Sequence, residues 1–222
     1  MMAVAGLIGY PVNQSEEVLM IGAANVLTLE NGLFSAGNTD TLGIKQTFNE
    51  QGFTVKGARV RVLGAGGVAR ALCYVLGNLR AHEVEILNRS HTRAESVAKV
   101  FAARFPLTRF FSNRLEMGLK PVAPTQLYVN CASDLSDGLL SEFSFRGAVA
   151  GALAFDLRYK SGTENFLDRA AEAGLKTVNG LDMLIWQAIA TFEIWFGPVP
   201  SCIQEKQGLK KKIKDFLEEN PK

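Results

Sequence analysis

The stretch RVRVL, Arg59 to Leu63, runs directly into Gly64-Ala65-Gly66-Gly67-Val68-Ala69 and then into a helical run, GVARALCYVLGNL. A β-branched strand, a G-x-G-x-x-A turn and a helix in that order leave little choice of architecture. Gly64 allows the tight turn, Gly66 lets the backbone come close to a diphosphate, and Ala69 lets the helix lie close on the strand. The free N–H groups and dipole at the helix start favour an anion there. The pattern predicts a dinucleotide held over residues 64–69, against the alternative of a merely structural glycine turn.

The chain keeps the same rhythm beyond this helix. EVEILN reads as a strand, TRAESVAKVFAARF as a helix, and QLYVNCA and AVAGALAFDL as strands apolar on both faces. TENFLDRAAEAG is an amphipathic helix with Gly174 just past its end, LKTV is a short strand, and LDMLIWQAIATFEIWFG is a long apolar helix. Alternation of this kind predicts an α/β fold: a Rossmann-type, doubly wound parallel sheet with right-handed crossovers and helices on both sides. Near the end, Leu209, Ile213, Phe216 and Leu217 fall at helical spacing, which predicts an amphipathic helix with a solvated basic face.

The second strand of the unit selects the nucleotide. An NAD site places an acid about twenty residues after the turn to bind the ribose 2′-hydroxyl. Here the strand ends in NRSHTR, with Asn88 where the acid would stand and Arg89, Ser90 and Arg93 beyond it. Two guanidinium groups and a hydroxyl suit a 2′-phosphate, so the expected cofactor is NADP. The plainer alternative is that Ser90 or Thr92 caps the next helix and the arginines are solvated.

The first fifty residues differ. VAGLIGY is a candidate strand, NVLTLENGLFSAGN a hairpin around Glu30-Asn31-Gly32, and TLGIKQTFNEQG a helix. A strand, a hairpin and one helix are too few for an independent domain and leave sheet edges open. The expected organisation is a remnant of a smaller α/β domain over residues 1–45, a nucleotide-binding domain over 46–200 and a terminal helix over 201–222. Association through residues 1–50 into a homo-oligomer would cover the open edges.

A net charge of +2 offers no reason to expect a nucleic acid. Three scattered cysteines, Cys73, Cys131 and Cys202, and two histidines disfavour a disulfide framework, a metal site or a histidine triad. No apolar run is long enough for a membrane span and the start does not read as a signal peptide, so the cytoplasm is the expected compartment.

The segments GNTDTLG, VLGAGGVARAL, NRSHTRAE, YVNCAS, FDLRYKSGTENFL and NGLDMLIWQA, in this order, resemble the shikimate dehydrogenases and their quinate/shikimate relatives. The resemblance covers about Val18 to Gly197. It implies hydride transfer between shikimate and 3-dehydroshikimate with NADP, a step of aromatic amino-acid biosynthesis in which a Lys–Asp pair handles the hydroxyl proton. It also implies Asp40 as the catalytic aspartate, and Ser15, Asn25, Asn38, Tyr159 and Gln187 with it around the substrate. Gly180 joins residues 64–69 and Asn88, Arg89, Ser90 and Arg93 on the cofactor side. Each has a bland alternative: Asn25 could fix a strand end, Tyr159 could pack at a boundary, and Gln187 could fill a polar pocket.

The departures lie at the front. The family's His-Ser-x-Ser-Pro is Gln14-Ser15-Glu16-Glu17-Val18 here, and the Asn-Val-Thr segment that carries the family's lysine is missing. Lys45 and Lys160 are nearby cations that nothing in the sequence aims at Asp40, and Lys45 reads as a solvated helix residue. An isolated, solvated aspartate with a pKa near 4 is a weak base for an alcohol. The expectation is therefore a dehydrogenase with impaired turnover, with a catalytically silent NADP-binding module or gene remnant as the alternative.

Overall fold

A computed structural model describes residues 12–115, 123–132, 143–159, 164–198 and 203–219. The strand expected in VAGLIGY, and Lys160 and Cys202, lie outside them.

The nucleotide half is built from β4 (Arg59–Leu63), α3 (Gly67–Asn78), β5 (Glu83–Asn88), α4 (His91–Arg104), β6 (Arg109–Arg114), β7 (Thr125–Asn130), β8 (Ala148–Asp156), α5 (Glu164–Glu172), β9 (Lys176–Asn179) and α6 (Leu181–Phe196). Its six strands lie in the order β6-β5-β4-β7-β8-β9, every pair parallel. That is the doubly wound arrangement in which the strand order reverses beside the first strand, leaving a crevice at the strands' C-terminal ends.

Alternation along the strands makes two cores. Val60, Val62, Val84, Ile86, Val129 and Phe155 face one way, onto Leu72, Val75 and Leu76 of α3 and Phe101 of α4. Leu63, Leu87, Tyr128 and Ala154 face the other way, onto Phe143, Phe145 and Phe166. Arg61 and Glu85, opposite each other on β4 and β5, also point to the second side. They form a buried ion pair at 2.6 Å, with Asn113 donating to Glu85 at 2.6 Å and the guanidinium 5.1 Å from the Phe143 ring centroid.

The front half contains β1 (Val12–Gln14), α1 (Glu16–Ile21), β2 (Val26–Glu30), β3 (Leu33–Gly37) and α2 (Asp40–Glu50). β2 and β3 form the expected hairpin, with Asn31 at φ 51° and Gly32 at φ 77° in the turn, and β1 joins β3 in parallel. Ile21 of α1 and Ile44 and Phe48 of α2 enter the same core as α3, so the front is packed onto the nucleotide half.

Four features depart from the sequence reading. α1 was not expected; Ser15 caps it by accepting from the Val18 N–H at 3.2 Å, and Gly22 closes it at φ 67°. β6 was not expected either; it pairs with β5 alone, at the sheet edge. The first four residues of β8 are not buried, and its register with β7 shifts between Thr125 and Leu127, with Gly151 at φ 77°. Finally, α7 (Ile203–Glu219) is not simply solvated on its basic face. Lys210 pairs with Glu50 and Asp182, and Lys214 with Asp182, pinning the helix onto α2 and α6. Among the described residues no helix is long and apolar enough to cross a membrane.

Candidate active site

The glycine turn behaves as its sequence requires. Gly64 sits at φ 106°, and a Cβ there would lie 3.0 Å from the backbone of Cys131 and Ala132, so the turn passes against the end of β7. Gly66 precedes α3, and a Cβ on it would meet nothing within 4 Å. Ala69 is fully buried against the sheet. Ala65, Gly67 and Val68 complete the open N-terminal end of α3, a cradle that fits a diphosphate. Gly180 precedes α6, and a Cβ on it would stand 2.1 Å from the Leu157 carbonyl oxygen, so only glycine fits at the end of β8.

At the end of β5 the Asn88 side chain donates to the Ser90 carbonyl at 2.9 Å and folds the following loop. Ser90 takes the N-cap position of α4 without a capping hydrogen bond; its hydroxyl lies 3.0 Å from that of Thr92. Arg89 and Arg93 are exposed, with no side-chain partner among the described residues. This leaves two unengaged guanidinium groups and a hydroxyl beside the nucleotide crevice. A buried polar knot braces the same edge. Asn130 donates to both oxygens of Asp156 at 3.2 Å, and Arg158 forks onto Asp156 at 3.0 and 2.7 Å.

On the substrate side, Asn25, Asn38, Asp40 and Gln187 come together. The short link from α1 brings Asn25 to the start of β2, where its Nδ2 donates to Asp40 Oδ1 at 2.9 Å and lies 3.5 Å from Gln187 Oε1. Asn38 donates to the Ala23 carbonyl at 3.0 Å and accepts the Asp40 N–H at 3.0 Å, fixing the entry to α2. Asp40 is the first residue of α2 and is only partly exposed. Burial raises its pKa above the usual carboxylate value, against the opposing hydrogen bond from Asn25. The isolated, solvated carboxylate expected from the sequence is thus corrected to a desolvated, hydrogen-bonded one, and a desolvated carboxylate is a stronger base. No lysine or arginine hydrogen-bonds it among the described residues. Lys45 lines a cleft of about 440 Å³ with Glu17, Thr39, Thr41 and Ala190, so it is half-buried rather than fully solvated.

The remaining two substrate-side candidates stand apart from this cluster. Ser15 is engaged as the cap of α1, and Tyr159, 47% exposed, lies past the end of β8. Sequence reasoning passed over three residues that hold the site. The Thr39 hydroxyl lies 3.3 Å from Asn25 Oδ1 and 3.2 Å from Gln187 Oε1, and Thr191, 3.1 Å from it, donates to the Gln187 carbonyl at 2.9 Å. Arg70, in the nucleotide helix α3, donates to the Met20 and Ile21 carbonyls at the end of α1, just ahead of Asn25. The only available signal for Arg70 was a cation on a helix flank beside a glycine-ended helix whose last carbonyls need donors.

Comparison with known proteins agrees with the geometry. The family "Shikimate / quinate 5-dehydrogenase" matches residues 45–113, and "Shikimate 5'-dehydrogenase C-terminal domain" matches residues 180–200. The shikimate dehydrogenase (NADP(+)) of Caldicellulosiruptor saccharolyticus is 36% identical over 188 residues, covering 82% of this chain and 65% of that protein. The chain is similar to the shikimate dehydrogenases. The family's enzyme from Carboxydothermus hydrogenoformans, also a shikimate dehydrogenase (NADP(+)), is 34% identical over 83% of this chain and 66% of its own length. The chain therefore spans about two thirds of the length of these relatives. Among solved family structures, the Thermus thermophilus shikimate 5-dehydrogenase in complex with NADP(H) and shikimate superposes with a TM-score of 0.71. It is 28% identical, with 93% of this chain and 73% of that one covered. The Listeria monocytogenes shikimate 5-dehydrogenase shares the fold at a TM-score of 0.77 and 24% identity, covering 94% and 72% of the two chains.

Proposed function

We propose that this chain is an NADP-dependent oxidoreductase of the shikimate dehydrogenase type, interconverting shikimate and 3-dehydroshikimate with reduced turnover. The observation that carries the reading is the cluster of Asn25, Asp40 and Gln187, set in one fold with a glycine turn suited to a dinucleotide. Residues 64–69 would hold the diphosphate, with Gly180 at the neighbouring strand end. Arg89, Ser90 and Arg93 would hold the 2′-phosphate, with Asn88 shaping their loop. NADP, when bound, supplies the hydride acceptor.

The chain's own residues handle the substrate oxygen. Asp40 accepts the hydroxyl proton as the C–O bond becomes C=O, and burial strengthens it as a base. Asn25 keeps the carboxylate aimed, Gln187 approaches from the other side, and Asn38 fixes the turn. The family's lysine has no counterpart hydrogen-bonded to Asp40 among the described residues, and loss of a positioned acid–base group costs about 10²–10⁴-fold in rate. Residues 1–45 serve as the remnant substrate region, 46–200 as the nucleotide domain and 201–222 as a clasp. We further infer self-association through residues 1–50, because β1 and β2 are edge strands among the described residues and Leu29 and Leu33 are exposed beside them.

The test is purified protein with shikimate and NADP, followed by NADPH absorbance, with calorimetry for each ligand and light scattering for assembly. Slow turnover with both ligands bound supports the reading. Turnover at ordinary enzyme rates, about 10 s⁻¹, removes the impairment. NADP binding without a shikimate response leaves the silent module. A monomer in light scattering removes the association.

A further inference from the structure

We propose that Arg114, the last residue of β6, supplies a third guanidinium to the 2′-phosphate of NADP and helps this chain select NADP over NAD. This rests on the cofactor reading above, which assigned the phosphate to the loop after β5 alone.

Sheet register supplies the placement. β5 lies between β4 and β6 and ends at Asn88, where an NAD site carries its acid. On the β4 side the glycine turn begins at this level: the Gly64 N–H donates to the Leu87 carbonyl at 2.8 Å. On the β6 side the residue opposite Asn88 is Arg114. Neighbouring strands lie about 4.8 Å apart, within the span of an arginine side chain. The strand end that meets the ribose 2′-group therefore has the diphosphate turn on one flank and a guanidinium on the other.

The face is also the right one. Opposed residues of parallel strands project to the same side of the sheet. Val84 and Ile86 of β5 and Phe110 of β6 enter the core shared with α3 and α4. Ser112, next in that row, puts its hydroxyl 3.4 Å from His91 Nε2, at the first residue of α4. Arg114 follows Ser112 in the row, one step nearer the crevice and level with Asn88. The alternate residues of β6 go the other way, where Asn113 donates to Glu85.

Charge completes the case. Arg114 is exposed and has no side-chain partner among the described residues. The nearby carboxylates are engaged: Glu95 with Lys99 at 2.9 Å, and Glu85 with Arg61 at 2.6 Å. Arg89, Arg93 and Arg114 thus gather at one strand end. A phosphate monoester offers them close to two negative charges and several acceptor oxygens, whereas the 2′-hydroxyl of NAD offers no charge.

The experiment titrates NADP and NAD by calorimetry into the full chain, as wild type, Arg114→Gln and Arg114→Lys, with melting temperatures to confirm folding. Arg114→Gln is expected to weaken NADP about tenfold, the scale of one charge-assisted hydrogen bond, and to leave NAD unchanged. Arg114→Lys should recover part of the loss, since it keeps the charge without the fork. In the Arg89→Ala, Arg93→Ala background, where the phosphate is no longer gripped, Arg114→Gln should change little further. Unchanged NADP affinity in Arg114→Gln overturns the inference and leaves the cofactor reading standing. Equal weakening of NADP and NAD also overturns it, because Arg114 would then meet the part common to both. A wild type that does not prefer NADP sinks the cofactor reading before any variant is compared, and the inference falls with it.

Discussion

Gly43 stands directly against Met183: a Cβ at Gly43 would lie 2.6 Å from the Met183 carbonyl oxygen and 3.3 Å from Gln187 Cβ. α2 and α6 therefore meet backbone to backbone one turn beyond Asp40, and this contact brings the carboxylate and the Gln187 amide into one cluster. Gly43→Ala is expected to push the helices apart at a cost of about 1–3 kcal/mol, read by chemical denaturation. Shikimate binding should fall further than NADP binding, since the glycine turn lies elsewhere.

Asp40 gives a prediction with opposite signs for stability and activity. Burial raises its folded pKa above the ordinary value of 3.8. Ionising it in the fold therefore costs stability. Its contribution is fully present below 3.8 and is lost as pH rises through the higher folded value. Asp40→Asn should raise the melting temperature at neutral pH, and the gain should vanish below the unfolded pKa. The same variant should lose turnover by about 10²-fold or more. Wild-type turnover should fall as pH drops through a value above 3.8. A melting temperature lowered by Asp40→Asn at neutral pH would show that the carboxylate is stabilised rather than strained.

Arg89 and Arg93 are exposed and, among the described residues, unengaged, so removing them should leave the fold intact. The double variant Arg89→Ala, Arg93→Ala is expected to weaken NADP by about 10–100-fold, as charged hydrogen bonds are lost, with NAD little affected. Titration of both nucleotides measures the ratio; a surviving preference for NADP would place the 2′-phosphate elsewhere.

The Arg61–Glu85 pair is buried at 2% and 7% side-chain exposure. Glu85→Leu strands the guanidinium and should cost about 3–5 kcal/mol. Arg61→Met combined with Glu85→Leu should recover much of that loss, because no buried charge remains. Urea denaturation of the wild type, Glu85→Leu and the double variant measures the loss and its recovery.

Burial pushes the Cys73 thiol up to about 12 and raises Cys131 well above its ordinary value. Neither should react with a disulfide reagent at mildly alkaline pH in the folded protein, and both should react in denaturant. Mass spectrometry of the modified peptides assigns the sites.

The nucleotide half was legible because its rules are local. A strand, a glycine turn and a helix follow one another within twenty residues, and Val60, Val62 and Ala69 declare their burial by pattern. β6 was not, because RFFSNR pairs on one side only and its polar Ser112, Asn113 and Arg114 blur the alternation. α1 carried a readable signature, Ser15 before Glu16-Glu17 and Gly22 after Ile21. The family resemblance puts that serine at the substrate, and a serine oxygen that accepts an N–H from its own helix shows no mark of that in sequence. Asp40, Asn25 and Gln187 were readable as separate motif residues. Thr39 and Thr191, separated by 152 positions, become neighbours only after α2 and α6 pack.

Arg70 has a wider implication. It springs from the helix that begins at the glycine turn, yet its guanidinium holds the last carbonyls of α1. The front half and the nucleotide half thus share one fastening, and removing α1 would break those hydrogen bonds and take Ile21 out of the core it shares with Ile44 and Phe48. The front segment is therefore a wall of the nucleotide half as well as the support of Asn25 and Asp40.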